Sequence, residues 1–296
     1  MSAQSKIEWT HHTMNPWWGC AKVSPACDAC YAERDSKRYG YDVWGPHAER
    51  RFFGEKHWND PLRWNRAAEK AGERRRVFCA SMADVFEVRN DEIGKRLDDE
   101  RVKLWKLIEA TPWLDWLLLT KRPENILRCV PLEWRPRTGL TPRNVWLGVT
   151  AEDQHHANKR IPLLLKAKQL LGAPIAFVSH EPAIEAVDFT TWLNIRSDVL
   201  PRLDWLITGG ESGTSVRSYD VAWARSVIAQ CRAAGAAVFV KQLGAKAHRV
   251  DWGVNPIGST PLVPLTLKQR KGNDPAEWPE DIRVREFPVV PAERHA

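Results

Sequence analysis

Cys20, Cys27 and Cys30 stand in a C-x6-C-x2-C arrangement within one short stretch of the chain. Thiolates are soft ligands that favour Zn²⁺ and iron–sulfur clusters. The C-x2-C end can wrap a metal tightly, while Gly19 and Pro25 shape the longer arm. A helix is expected to start near Cys30, and the N–H groups of its first turn favour the thiolate state. A structural zinc ion needs four protein ligands, so zinc on three cysteines would keep an open position for water and hydrolytic chemistry. A four-iron cluster on three cysteines would keep one iron open for a substrate or cofactor. His11 and His12 lie just upstream and are candidates for a fourth ligand. Cys79, Cys129 and Cys231 are scattered in apolar surroundings and read as core residues.

The elements that must position this loop show in the apolar runs. Val77–Met82, Asp115–Thr120, Asn144–Thr150, Ile175–Ser179, Leu203–Thr208 and Ala236–Val240 are near-continuously hydrophobic, as parallel strands covered on both faces should be. A further strand is expected between Ile7 and Trp17, feeding the cysteine loop. Between the runs lie helix-like segments. Leu97, Leu104 and Ile108 share one face of a helix over 93–110. Asp220 and Gly235 have the types of an N-cap and a C′ residue around another. Pro162 is expected to kink the segment 153–171 or to begin a new helix there.

Repeated strand–helix units imply an α/β fold, a partial or complete parallel (β/α) barrel of the TIM-like type, over residues 1–244. An open doubly wound sheet is the alternative. Residues 245–296, rich in Pro, Gly and charge, read as an irregular C-terminal extension packing on the barrel.

Ligands of parallel α/β folds lie at the carboxyl ends of the strands. The ends here read Ser81-Met-Ala-Asp84, Thr120-Lys121-Arg122, Thr150-Ala-Glu-Asp153, Ser179-His-Glu181, Gly209-Gly210-Glu211-Ser212 and Lys241-Gln242. Glu181, Glu211 and Lys241 are candidate catalytic residues. Ser81, Asp84, Thr120, Lys121, Gly209, Gly210 and Ser212 are candidate cofactor-binding residues. The adjacent glycines suggest a ligand approaching the backbone closely, with N–H groups free for an anion. His180 reads as a satisfied structural histidine.

The 296 residues are 43% hydrophobic and 27% charged, as in ordinary globular proteins. No stretch approaches the about 20 apolar residues that span a bilayer, and the N-terminus lacks an apolar signal core. A cytoplasmic protein with reduced thiols and no membrane partner is expected. A net charge of +7 suits an anionic partner such as nucleic acid. Trp116, Trp146 and Trp205, three of 16 tryptophans, lie within strand-like runs and are expected in the core.

The three-cysteine loop after a first strand, with Tyr31 beside the last cysteine, resembles the radical S-adenosylmethionine (radical SAM) superfamily. Lys6-Ile-Glu-Trp-Thr10, the cysteine loop, Ser81-Met-Ala-Asp84, Leu119-Thr-Lys-Arg-Pro123 and Trp146-Leu-Gly-Val149 resemble more closely a phage and prophage family known by gene-product labels. Glu152-Asp-Gln154, Gly209-Gly-Glu-Ser-Gly213 and Lys241-Gln242 share that resemblance, which covers nearly the whole chain. It implies that Cys20, Cys27 and Cys30 ligate three irons of a [4Fe–4S] cluster. The fourth iron would chelate S-adenosylmethionine, and its reductive cleavage, fed by an electron donor, would give a 5′-deoxyadenosyl radical. The superfamily's Gly-Gly-Glu follows the second strand, whereas Gly209-Gly-Glu211 follows a later one. That leaves Ser81 and Asp84 in the position for the methionine end. The implied function is modification or repair of a large anionic substrate, DNA or RNA. The alternatives are a three-cysteine zinc hydrolase, with Glu181 or Glu211 as general base, and a non-catalytic nucleic-acid-binding phage protein.

Overall fold

The computed structural model describes residues 5–135, 141–195, 201–213, 216–250 and 262–290. Its main sheet has seven strands: β1 (His12–Thr13), β4 (Arg75–Cys79), β5 (Leu114–Thr120), β6 (Val145–Thr150), β7 (Ile175–His180), β8 (Trp205–Gly209) and β10 (Ala237–Gln242). Their spatial order follows the sequence, β1-β4-β5-β6-β7-β8-β10. Each new strand is added on the same side, which is the winding of a partial (β/α) barrel. A doubly wound sheet would reverse direction at a switch point. The smaller strands are β2 (Trp17–Trp18) paired with β3 (Arg51–Phe52), and β9 (Tyr219–Asp220), β11 (Ala247–Val250) and β12 (Leu262–Pro264) in a sheet of their own.

The strands form where the apolar runs predict them, because their residues are buried on both faces. Every residue of β6, β7 and β8 is buried, and Trp116, Trp146 and Trp205 all belong to the core. Two compact units share the chain. One is built mainly on residues up to Val149 with Pro162–Ala176, the other on Thr150–Ile161 and Phe177–Val289.

The first unit carries α1 (Tyr31–Arg38), α2 (Glu55–Trp58), α3 (Asp60–Ala71), α4 (Glu92–Glu109) and α5 (Ile126–Cys129). In α4 the Asp91 carboxylate accepts the Gly94 N–H as N-cap, and Leu97, Leu104 and Ile108 form the buried stripe. Cys79 is buried as expected, whereas Cys129 is only half-buried. It lines a cleft of about 580 Å³ with Arg101, Val102, Trp105 and Leu132, away from the other cysteines in sequence. The helix α6 (Gln154–Leu171) runs as one element with Pro162 inside it, so Pro162 does not begin a new helix.

The second unit also holds α7 (Thr190–Leu193) and α8 (Val221–Ala234). Asp220 caps α8 by accepting the Ala222 N–H, and Gly235 ends it at φ +63°. Residues 262–289 are part of this unit. Val240 N–H donates to the Val284 carbonyl and Glu286 N–H to the Val238 carbonyl, each at 2.9 Å, so the tail lies along the outer edge of β10. Trp278 and Ile282 are buried, and Phe287 packs on Trp205 and Phe239 with ring centroids 5.6 and 5.4 Å apart. Trp278→Ala should therefore destabilise the protein by about 3–5 kcal/mol. Urea unfolding checks this, and a variant as stable as wild type would mean that the tail is not part of the folded unit.

Candidate metal centre

The cysteine loop leaves the carboxyl end of β1 and is pinned by its backbone. Gly19 N–H donates to the Met82 carbonyl at 2.9 Å, and Gly45 N–H to the Cys20 carbonyl at 2.9 Å. Gly19 has φ +115°, and a Cβ there would sit 2.4 Å from the Val43 carbonyl oxygen, so no other residue fits this approach. Cys27 ends a short 3₁₀ turn that begins at Pro25. Cys30 is the N-cap residue of α1, which starts where the sequence predicts. Tyr31 Oη then donates to the Ser81 carbonyl at 2.9 Å, tying the C-x2-C end to the segment after β4. Ser81 Oγ is held by Asn15, whose Oδ1 also accepts the Met82 N–H at 2.7 Å.

Asp84 is the hub of this end of the unit. Its buried carboxylate accepts from Thr120 Oγ1 (2.7 Å), Phe86 N (3.0 Å), Lys121 N (3.1 Å) and Arg122 Nη1 (2.9 Å). Those four donors occupy the lone-pair sites of an ionised carboxylate. Burial pushes its pKa up, but Arg122 and the hydrogen bonds outweigh that and hold it below the ordinary aspartate value. The same Arg122 Nη1 lies 3.4 Å from Cys20 Sγ, and Nη2 donates to the Ala21 carbonyl at 2.8 Å. Burial pushes the Cys20 thiol up to about 12, against the pull of Arg122. Among the described residues no carboxylate pairs with the half-buried Lys121 ammonium. Beyond this hub, Arg50 is buried in a bidentate pair with Glu87 and also donates to the Val43, Gly45 and Ala48 carbonyls.

The donor set fits a metal group. The six cysteines are free thiols, and the Arg122 guanidinium can donate to Cys20 Sγ as an outer-shell partner donates to a metal ligand. Zinc bonds of about 2.3 Å hold tetrahedral sulfurs about 3.8 Å apart. Among the described residues the three cysteine sulfurs do not gather within 4.8 Å of one another. His11 and His12 are engaged elsewhere. His11 Nδ1 accepts the Arg76 N–H at 2.8 Å, at the amino end of β4, and His12 stacks on Trp64 at 4.4 Å.

The second unit holds the other candidates. Lys241 Nζ and Glu181 Oε1 form an ion pair at 2.6 Å. Glu211 is bound instead by Arg217, through its backbone N–H at 2.8 Å and its guanidinium. Ser212 follows, half-buried. Gly209 and Gly210 serve the protein's own backbone. A Cβ on Gly210 would meet the Leu243 carbonyl at 2.4 Å, and its N–H already donates to the Gln242 carbonyl. The close approach foreseen for a ligand is made by the end of β10. His180 is buried, with Nε2 on the Glu185 carbonyl and Nδ1 on Thr208 Oγ1, and burial pushes it down to about 4. It is the satisfied structural histidine that was expected. Glu152, Asp153 and His156 gather their ligand atoms within 4.8 Å, but Arg160 already binds the buried Glu152 at 2.6 Å.

A family model described as "Protein of unknown function (DUF5131)" matches residues 4–277. The chain belongs to the DUF5131 family. No match is found among curated proteins. A solved structure of a mutant spore photoproduct lyase is similar at 14% identity and a TM-score of 0.43, over 88% of this chain and 70% of that one. A likeness at this level identifies no reaction.

In this DUF5131 protein the residue that sequence reasoning passed over is Arg122. It was visible as part of a strand end, but only its contact with Asp84 and Cys20 gives it a task. Arg122→Gln should cost about 3–5 kcal/mol, because it strands a buried carboxylate, and Asp84→Asn added to it should recover part of the loss. Urea unfolding of the single and double variants checks this. The His180 imidazole predicts a pH dependence. Its folded pKa lies below its unfolded value of about 6.5, so the unfolded state binds the extra proton between about pH 4 and 6.5. Stability should fall on the order of 3 kcal/mol as pH drops through that window. His180→Gln should flatten that part of the stability–pH curve; an unchanged slope would assign it to other groups.

Proposed function

We propose that this chain is an iron–sulfur enzyme of the radical SAM type that modifies or repairs a large anionic substrate, DNA or RNA. The observation that carries the reading is three free thiols on one loop at the carboxyl end of β1, with the buried Arg122 guanidinium against Cys20 Sγ. A set of three leaves one iron of a four-iron cluster for a second ligand.

In this reading Cys20, Cys27 and Cys30 hold three irons of a [4Fe–4S] cluster. Bound beside it, S-adenosylmethionine would supply a 5′-deoxyadenosyl radical after one-electron reduction by a partner protein. The residues of the chain orient and shield that chemistry. Arg122 donates to a ligand sulfur, a contact that tunes cluster potential. Lys121 offers an ammonium to a carboxylate or phosphate, and Ser81, Thr120 and Asp84 line the methionine end. Because its four acceptor sites are filled, Asp84 acts by fixing Thr120 and Arg122. Glu181 and Lys241, already in contact, are the pair through which a proton would move. Ser212, Gly209, Gly210 and Glu211 shape the ends of their strands. The net charge of +7 accords with a nucleic-acid substrate.

Iron, sulfide and zinc content with an absorption spectrum, on anaerobically purified wild type beside Cys27→Ala, tests the reading. About four irons per chain, lost in the variant, is the expected result. Stoichiometric zinc without iron would sink the radical chemistry and favour hydrolysis.

A further inference from the structure

The chain around the cysteine loop carries an aromatic surface that neither the core nor the cluster uses. The ribbon of β2 and β3 pairs Trp17 with Phe52 and Trp18 with Arg51. Side chains alternate faces along a strand, so Trp17 goes into the core while Trp18 and Arg51 turn outward together. The Arg51 guanidinium carbon lies 4.5 Å from the Trp18 ring centroid, 4.1 Å from Tyr41 and 4.9 Å from Phe53. Tyr39 joins the same group, 6.0 Å from Trp18, with Arg38 over its ring at 5.2 Å. Phe53 in turn stacks flat on His57 at 4.0 Å.

Two features set this group apart from ordinary packing. Tyr39 is 57% exposed and Tyr41 36%, so the rings that close the cluster keep their outer surface in water. Among the described residues no carboxylate pairs with Arg51. Its cation is held by π-faces instead, which leaves N–H donors available. Rings that offer a face, around a cation that offers donors, match a chain of bases and phosphates. Unpaired bases stack on aromatic faces whatever their sequence, and guanidinium binds phosphate oxygens. A duplex hides those faces. The chain's net charge of +7 favours such a polyanion. The surface also belongs to the cysteine segment: Trp18 lies two residues before Cys20, and Tyr39 follows α1, whose N-cap is Cys30.

We propose that Trp18, Tyr39, Tyr41 and Arg51 form a stacking surface for single-stranded nucleic acid. The inference rests on the function proposed above for its choice of ligand and narrows that substrate to unpaired strands. Fluorescence anisotropy on the full chain, with labelled oligothymidylate, oligouridylate and a duplex of equal length, tests it. At least one single strand should bind more tightly than the duplex. Tyr39→Ala should weaken that binding roughly 5- to 100-fold, while Tyr39→Phe, which keeps the ring, should bind like wild type. Arg51→Gln should lower the slope of log affinity against log salt by about 0.7. Duplex binding as tight as single-strand binding, no binding of either oligomer, or a Tyr39→Ala variant that binds like wild type would overturn the proposal. Iron content read on the same samples separates the two readings. Protein that keeps its iron but binds no single strand fails this inference alone, and protein without iron that binds through Tyr39 fails the cluster alone.

Discussion

A carboxylate out of water must be answered by donors, and the answer to Asp84 sets the position of the cysteine loop. Its four hydrogen bonds come from Thr120, Lys121, Arg122 and Phe86, so the segment after β4 is locked to the end of β5. Arg122, fixed by that carboxylate, spends its remaining donors on Cys20 and Ala21. Neither charge is tolerable without the other, because desolvation costs several kcal/mol per ion. The loop is thus located by charge satisfaction more than by apolar packing. Arg50 and Glu87 repeat the device one segment away, with the guanidinium gathering the carbonyls of residues 43–48. Fully satisfied polar networks of this kind specify one arrangement where a greasy contact would allow several.

The sheet was legible in the sequence because burial on both faces writes itself as unbroken apolar runs. Leu114–Thr120 and Val145–Thr150 fall within a residue of where their composition puts them. Capping chemistry made α8 readable at both ends, through Asp220 and Gly235. The ribbon of β2 and β3 was not legible. Two-residue strands have no period to detect, and their partners are separated by more than thirty residues without an apolar run. The Asp84–Arg122 pair escaped for a related reason. A residue type says that it can carry charge, but only the fold says which charge thirty-eight positions away will meet it.

The polar strand ends divide the same way. Ionisable residues after apolar runs were read together as a site, yet several are consumed by the protein's own architecture. His180 satisfies Glu185 and Thr208, Glu211 holds Arg217, and Gly210 makes room for the Leu243 carbonyl. What distinguishes Lys121 is an ammonium against which, among the described residues, no carboxylate is set. Composition marks where chemistry could occur, and the accounting of donors and acceptors removes the residues already spoken for.

The tail along β10 carries a different consequence. Val238-Phe239-Val240 ends the order of the sheet, and such a strand is a template on which another chain can crystallise its own backbone. Residues 284–286 occupy that rail with main-chain hydrogen bonds, and Arg285 staples over it by reaching the Val240 and Lys241 carbonyls. A fragment cut at the end of the strand–helix pattern would look like a complete domain on composition, and would expose a sticky border that invites aggregation.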